Sequence, residues 1–290
     1  ADTTDDTVTI TAAGAITNSV ASDATVDVAG ATINLTTTAG TIGEQAGNGA
    51  LDINATTALN ATTTNANITL SDLAGGLPVG AIAAGTGTVT LTSAAGIDDA
   101  TADTTADITA NGVALNAQSG IGATAPLELA NVDTLAADTA GGNIDIDNAA
   151  DGAVTVTSMT TAGTANISYD QTGGQTLDLD SVVVVDGDIS ITNANASITV
   201  NDIDGDMTNG VVTLDSGTAA IINDAANTLD TATLTIANAL TVGADGDNDN
   251  QVGNDWLDVN VTTLNLNSTG AAYIDEVNAV NLAAVTTGGE

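Results

Sequence analysis

The chain contains no lysine, no arginine, no histidine, no cysteine and no phenylalanine. Each absence removes a class of chemistry. Without Lys or Arg nothing can meet nucleic-acid phosphates, whose binding depends on those cations. Anionic lipid surfaces repel a chain of formal charge -37. Without His, the Ser-His and Cys-His nucleophile systems cannot be assembled. Without Cys there are no disulfides, which is compatible with either side of a membrane. Aromatics are nearly missing as well, with one Trp and two Tyr in 290 residues. The large rings that fill much of a conventional globular core are therefore not available. Charged residues make up 13% of the chain, about half the usual share. The imbalance comes from missing cations more than from surplus acid.

No run reaches about 18 consecutive apolar residues, so no transmembrane helix is expected. Residues 1–6 read ADTTDD, without Met and without a signal-peptide pattern, which predicts a mature or excised product. A chain without Lys or Arg offers trypsin-like proteases no cleavage site, which suits life outside the cell. The expected location is extracellular, at the cell surface.

What is present is patterned. Hydrophobic residues make up 43% and are spread along the whole chain, which argues against acidic disorder. Residues 121–156 read IGATAPLELANVDTLAADTAGGNIDIDNAADGAVTV. Short alternating runs are separated by Gly, Asn, Asp and Ala, the period-two signature of half-buried strands. The same phrase returns at 252–282 and more loosely at 42–70. A degenerate repeat on this scale predicts stacked coils. A β-sandwich would need longer strands and hairpin signals, and propeller blades carry aromatic motifs. A parallel solenoid tolerates short strands and lets Asn, Thr, Val and Ile stack on their own kind. The expected fold is all-β, a parallel β-helix with roughly 20 to 25 residues per coil and about 12 coils. It forms one continuous domain over 1–290, with a polar acidic loop inserted at 243–256. Residues 73–87, which include Pro78, are expected to be a loop holding one strand at 79–82. Residues 98–106 are expected to be a polar turn.

Two phrases carry a resemblance. GIGATAPLELANVDTLAADTAGGNIDIDNA (120–149) and VGNDWLDVNVTTLNLNSTGAAYIDEVNAVNL (252–282) resemble the repeats of bacterial surface adhesins of the filamentous haemagglutinin type. The shared features are an Ile-Gly or Val-Gly start, a V-x-x-L strand, and a Gly turn into an I-x-I or Y-I-x-E run. The resemblance implies a right-handed parallel β-helix, export to the cell surface and an adhesive role.

The candidate chemistry is carboxylate chemistry. Asp145 with Asp147, or Asp202 with Asp204, would project from one strand face about 7 Å apart, as a glycosidase pair could. Among 37 acids such pairs arise by chance. A polysaccharide-acting enzyme is thus the last of the alternatives, and a non-enzymatic chain is expected. Asp245, Asp247 and Asp249 have the D-x-D-x-D spacing of a calcium loop. The sixth position is Asn250 instead of Gly, and the twelfth is Trp256 instead of Glu, so the loop is not an EF-hand. Asp186 with Asp188, and Asp204 with Asp206, form further acidic turns. Solvated acidic corners are the first reading of these turns; the competing reading is calcium, the one cofactor in view, with Asp245, Asp247, Asp249, Asp204 and Asp206 as ligands. Eight Asn-x-Ser/Thr sequons occur, at Asn34, Asn54, Asn60, Asn67, Asn166, Asn195, Asn260 and Asn267, as a chain rich in Asn and Thr generates by composition. Trp256 and Tyr273 are expected to plug the core or to stack on sugar.

Taken together these features point to a structural or adhesive surface fibre, either a filament subunit joined head to tail or a stalk module of a large adhesin. The alternative is a calcium-dependent surface-lattice or binding protein. Expected partners are further copies of the chain and a surface receptor or glycan on a host or neighbouring cell. Nucleic acid and membrane insertion are not expected.

Overall fold

The computed structural model describes residues 5–18, 25–43, 49–223, 228–244 and 256–288. Among them lie 26 β-strands and no helix. The fold is a right-handed parallel β-solenoid of about 11 short-strand turns. The chain divides into two compact units, Ala1–Ala149 and Ala150–Glu290.

In the first unit, Val8 lies opposite Ile33, Ile33 opposite Leu59, and Leu59 opposite Val79. A second column runs Ile42, Ile68, Val89, Val113 and Leu135. A third runs Leu77, Ile97, Ile121 and Ile144. Except for the half-buried Val8 of the first coil, these residues are buried. Parallel neighbours stack about 4.8 Å apart, so each apolar residue covers the one below it. The intervening residues alternate outward, where Thr and Asn provide β-propensity together with hydrogen-bonding groups.

The second unit repeats the scheme. One column comprises Ile167, Ile189, Val212, Leu234, Leu264 and Leu282. Beside it run Tyr169, Ile191, Leu214, Ile236, Leu266 and Val285. Tyr169 is wholly buried. Its hydroxyl donates to Gln171 Oε1 at 2.9 Å, and Gln171 Nε2 donates to the Gln175 carbonyl at 2.9 Å. Buried Tyr needs such a partner. The step from Leu234 to Leu264 is 30 residues; of the acidic loop expected at 243–256, residues 245–255 lie outside the described residues.

Polar side chains link one coil to the next. Asn60 Nδ2 donates to Asn34 Oδ1 at 3.0 Å, and the Ala81 N–H donates to Asn60 Oδ1 at 2.9 Å. Asn67 and Asn166 likewise accept the N–H of Thr88 and of Asp188. With Asn195, Asn260 and Asn267, which also bond across coils, seven of the sequon asparagines have an amide engaged in this way. Carboxylates are met in the same way: Asn111 donates to Asp133 at 2.6 Å, Asn238 to Asp215 at 2.7 Å, and Asn260 to Asp230 at 2.7 Å.

One local expectation is corrected. Residues 73–87 are not mainly loop, because a single strand runs Leu77–Ser93. Pro78 sits at its second position, opposite Asp98, near a strand start where Pro is tolerated. The strand bends without ending, through register shifts on either side of Gly85, whose φ is 59°. Residues 100–107 carry no regular structure, while Asp98 and Asp99 complete the strand Gly96–Asp99.

Glycine is required where coils touch. Gly142 has φ +105°, and a Cβ there would fall on the Ser119 carbonyl oxygen one coil below. Gly75 has φ +93° with open space around it. Gly75→Ala should therefore lose only about 1 kcal/mol from backbone strain. Gly142→Ala adds a backbone collision and should lose about 3 kcal/mol or more. Denaturant unfolding of the two variants checks this, and equal losses would show that the close approach does not matter.

Candidate metal centre

The site grows out of one corner of the first unit. Asp99 ends the strand Gly96–Asp99, Asp107 directly precedes the strand Ile108–Ala117, and Glu128 lies in the strand Leu127–Ala130 of the next coil. Leu129 pairs with Ile108, so Glu128 stands one coil beyond Asp107. The chain also joins them directly: the Asp107 N–H donates to the Glu128 carbonyl at 2.8 Å, and the Glu128 N–H donates to Asp107 Oδ2 at 3.1 Å. Asp99 folds the corner back on itself. Its Oδ1 accepts the Thr101 N–H at 2.8 Å, and its Oδ2 accepts the Asp103 N–H at 3.1 Å.

Strand alternation turns Glu128 away from its neighbours Leu127 and Leu129. It is buried nonetheless, with 8% of its surface exposed, against Asp99 and Asp107. One carboxylate oxygen from each of the three residues lies within 4.8 Å of the others. Glu128 Oε2 is buried and has no hydrogen-bond partner. A shallow groove of about 270 Å³ adjoins the site, lined by Asn60, Thr101, Asp103, Thr105 and Asp107 among others.

Two of these acids, Asp107 and Glu128, have a raised proton affinity. Burial pushes the Asp107 carboxyl from an ordinary 3.8 up to about 8, with the charges of Asp99 and Glu128 adding to the effect. Burial also raises Glu128, helped by Asp99 and Asp147 and opposed by its interaction with Asp107. Such a set can share protons or coordinate a divalent cation.

The sites expected from sequence fall elsewhere. Asp245, Asp247 and Asp249 lie outside the described residues. Asp204 ends the strand Ile203–Asp204 opposite Asp230, and burial, then Asp230 and Asp202, raise its carboxyl. Asp206 caps a turn, accepting the N–H of Thr208 at 2.8 Å and of Asn209 at 3.3 Å. Among the described residues, neither joins a group of three acids with oxygens as close as those of Asp99, Asp107 and Glu128. Asp188 Oδ1 accepts the Val211 N–H, a ladder contact. Asp145 and Asp147 are half-buried on the strand Ile144–Ala149. Trp256 and Tyr273 pack with ring centroids 6.5 Å apart and planes tilted 38°. The triad escapes sequence reading because its members are 8 and 21 residues apart, and only the coil period brings them together. The available signal was an acid between two leucines, Leu127-Glu128-Leu129, one coil beyond Asp107.

Comparison with protein-family models, with curated proteins and with solved structures finds no match to this chain.

The raised carboxyls set the pH response of the metal-free protein. Between about pH 4 and pH 8 the folded chain holds a proton at Asp107 that the unfolded chain has released. The free energy of unfolding therefore falls as pH rises through that window. In chelator at fixed ionic strength, the melting temperature should drop by several degrees from pH 5 to pH 8. Asp107→Asn, which has no proton to lose, should flatten that part of the profile. A wild-type melting temperature that rises over the window would contradict the burial of this charge.

Proposed function

We propose that the chain is a non-enzymatic structural module of an extracellular, adhesin-like surface fibre, extended end to end. The observation that carries this reading is the last coil of the second unit. Two apolar columns, buried to within 6% exposure at Leu264 and Leu266, finish at Leu282 with 61% and Val285 with 47%. Val277, four residues before the strand Asn281–Thr287, is 68% exposed. The strand Asn281–Thr287 pairs with Leu257–Ser268 on one side, and among the described residues no strand pairs with its other side. Such an edge accepts a further strand, whether from a continuation of the same chain or from another copy.

The occupant proposed is the strand Thr7–Ala12 of a second copy. Among the described residues it too has a partner strand on one side only, and its Val8 and Ile10 are half-exposed. Acid-rich flanks repel one another, whereas a coil-on-coil contact brings apolar rungs and backbone together. A head-to-tail contact that does not close makes a filament. The resemblance to haemagglutinin-type repeats supports the surface location and the adhesive role, with a receptor or glycan on another cell as the external partner. The lack of His, Cys, Lys and Arg supports a chain without catalysis. A second reading, a calcium-dependent surface-lattice or binding protein, is favoured by the Asp99, Asp107 and Glu128 cluster.

Sedimentation velocity and electron microscopy test the contact. Purified chain should elongate into unbranched fibres as concentration and salt rise. The double variant Leu282→Asp with Val285→Asp should remain monomeric. Val185→Asp, at a residue 64% exposed elsewhere in the second unit, should still elongate. Wild-type chain that stays monomeric at high concentration with salt and calcium present would remove the filament version and leave the stalk module.

A further inference from the structure

We propose that Asp99, Asp107 and Glu128 bind one hard divalent cation of the calcium class, which ties the corner formed by residues 100–106 to the following coil. The site does not rest on the fibre reading and would serve a stalk module or a filament subunit equally.

The first support is spacing. Two oxygens on opposite sides of one calcium ion, each at about 2.4 Å, are at most about 4.8 Å apart. The three carboxylate oxygens already lie within 4.8 Å of one another, so small side-chain shifts bring all three into reach of one ion. The second support is Glu128 itself. Its side chain is more than nine-tenths buried, it is turned into the cluster, and its Oε2 has no hydrogen-bond partner. A buried charged atom left this way is costly unless a cation meets it.

The third support is that no side chain of the protein can be that cation, because Lys, Arg and His are absent from the entire sequence. Elsewhere Asn takes the role, as at Asp133, Asp215 and Asp230; no Asn contact is present at Glu128 Oε2. The donor set also selects the metal class. It is all oxygen, and the chain has no imidazole or thiolate, the ligands that favour zinc and copper. Calcium takes six to eight oxygens, several of them commonly water. The adjoining groove, lined by Thr101, Asp103, Thr105 and Asp107, gives water and ion a path to the site.

The geometry also states what the ion would hold. Asp99 and Asp107 bracket the corner, and Thr101 and Asp103 already bond back to Asp99. Glu128 belongs to the next coil. One ion therefore closes the corner and staples two coils at once.

Calorimetric titration of chelator-treated chain with calcium chloride, against sodium chloride at matched ionic strength, tests the site. Wild-type protein should bind calcium saturably. Glu128→Gln should weaken that event at least tenfold, yet melt higher than wild type in chelator, because it removes an uncompensated buried charge. A variant with Asp245→Asn, Asp247→Asn and Asp249→Asn together should keep the event. Hydrogen exchange on wild-type protein gives a readout that needs no variant: calcium should slow the amides of Thr101, Asp103 and Glu128, and sodium should not. Saturable binding unaffected by Glu128→Gln would overturn the proposal. So would exchange at those amides that calcium and sodium alter equally.

Discussion

The parallel pairing of residues one coil apart governs this molecule. Each side chain stands about 4.8 Å from its counterpart in the next coil, so whatever occupies a position must tolerate a neighbour of the same kind. Aliphatic residues do so readily, and columns such as Ile42, Ile68, Val89, Val113 and Leu135 result. A large ring stacks badly on a small residue, which accounts for a core almost free of aromatics. The exception, Tyr169, sits above Ile191 and brings its own polar partners in Gln171 and Asn193.

The same constraint makes acids difficult. Stacked carboxylates repel, and this sequence has no cation to place between them. Asparagine provides the substitute. Its Nδ2 donates to a carboxylate in the neighbouring coil at Asp133, Asp215 and Asp230, and its Oδ1 accepts backbone N–H groups at Asn60, Asn67 and Asn166. Abundant Asn thus follows from the fold and from the missing basic residues together. At Asp99, Asp107 and Glu128 this device is not used: the corner at 100–106 returns one acid onto two others, and carboxylate meets carboxylate.

The fold was legible in the sequence because burial writes a period of two wherever one face of a strand is covered. Leu127, Leu129, Ile144 and Ile146 could be assigned inward from pattern alone, and they are buried. The continuous strand Leu77–Ser93 was not legible. Gly and Pro read as breakers, yet in a solenoid a bulge at Gly85 turns the chain while its pairing continues. The acidic triad was hidden for a different reason. Linear spacing exposes ligands within a loop, such as Asp245, Asp247 and Asp249, but the neighbours that matter here are a coil apart. Coil lengths vary with each corner, from 17 residues between Leu257 and Ile274 to 30 between Leu234 and Leu264. Without a fixed period, sequence alone could not place Glu128 beside Asp107.

Asparagine satisfies hydrogen bonds but carries no charge, so the chain keeps its formal -37. That charge acts over two distances. Between separate molecules the gaps reach and exceed the screening length, about 8 Å at physiological salt, and dissolved salt weakens flank-to-flank repulsion. Between coils the separation is about 4.8 Å and the carboxylates are partly buried, so mobile ions screen them poorly. Only a charge held inside the coil spacing, a proton or a coordinated cation, can relieve repulsion at that scale. Salt and bound metal are therefore not interchangeable for this protein. Salt would govern how closely molecules approach one another, whereas a cation bound among Asp99, Asp107 and Glu128 would govern how firmly one coil is held to the next.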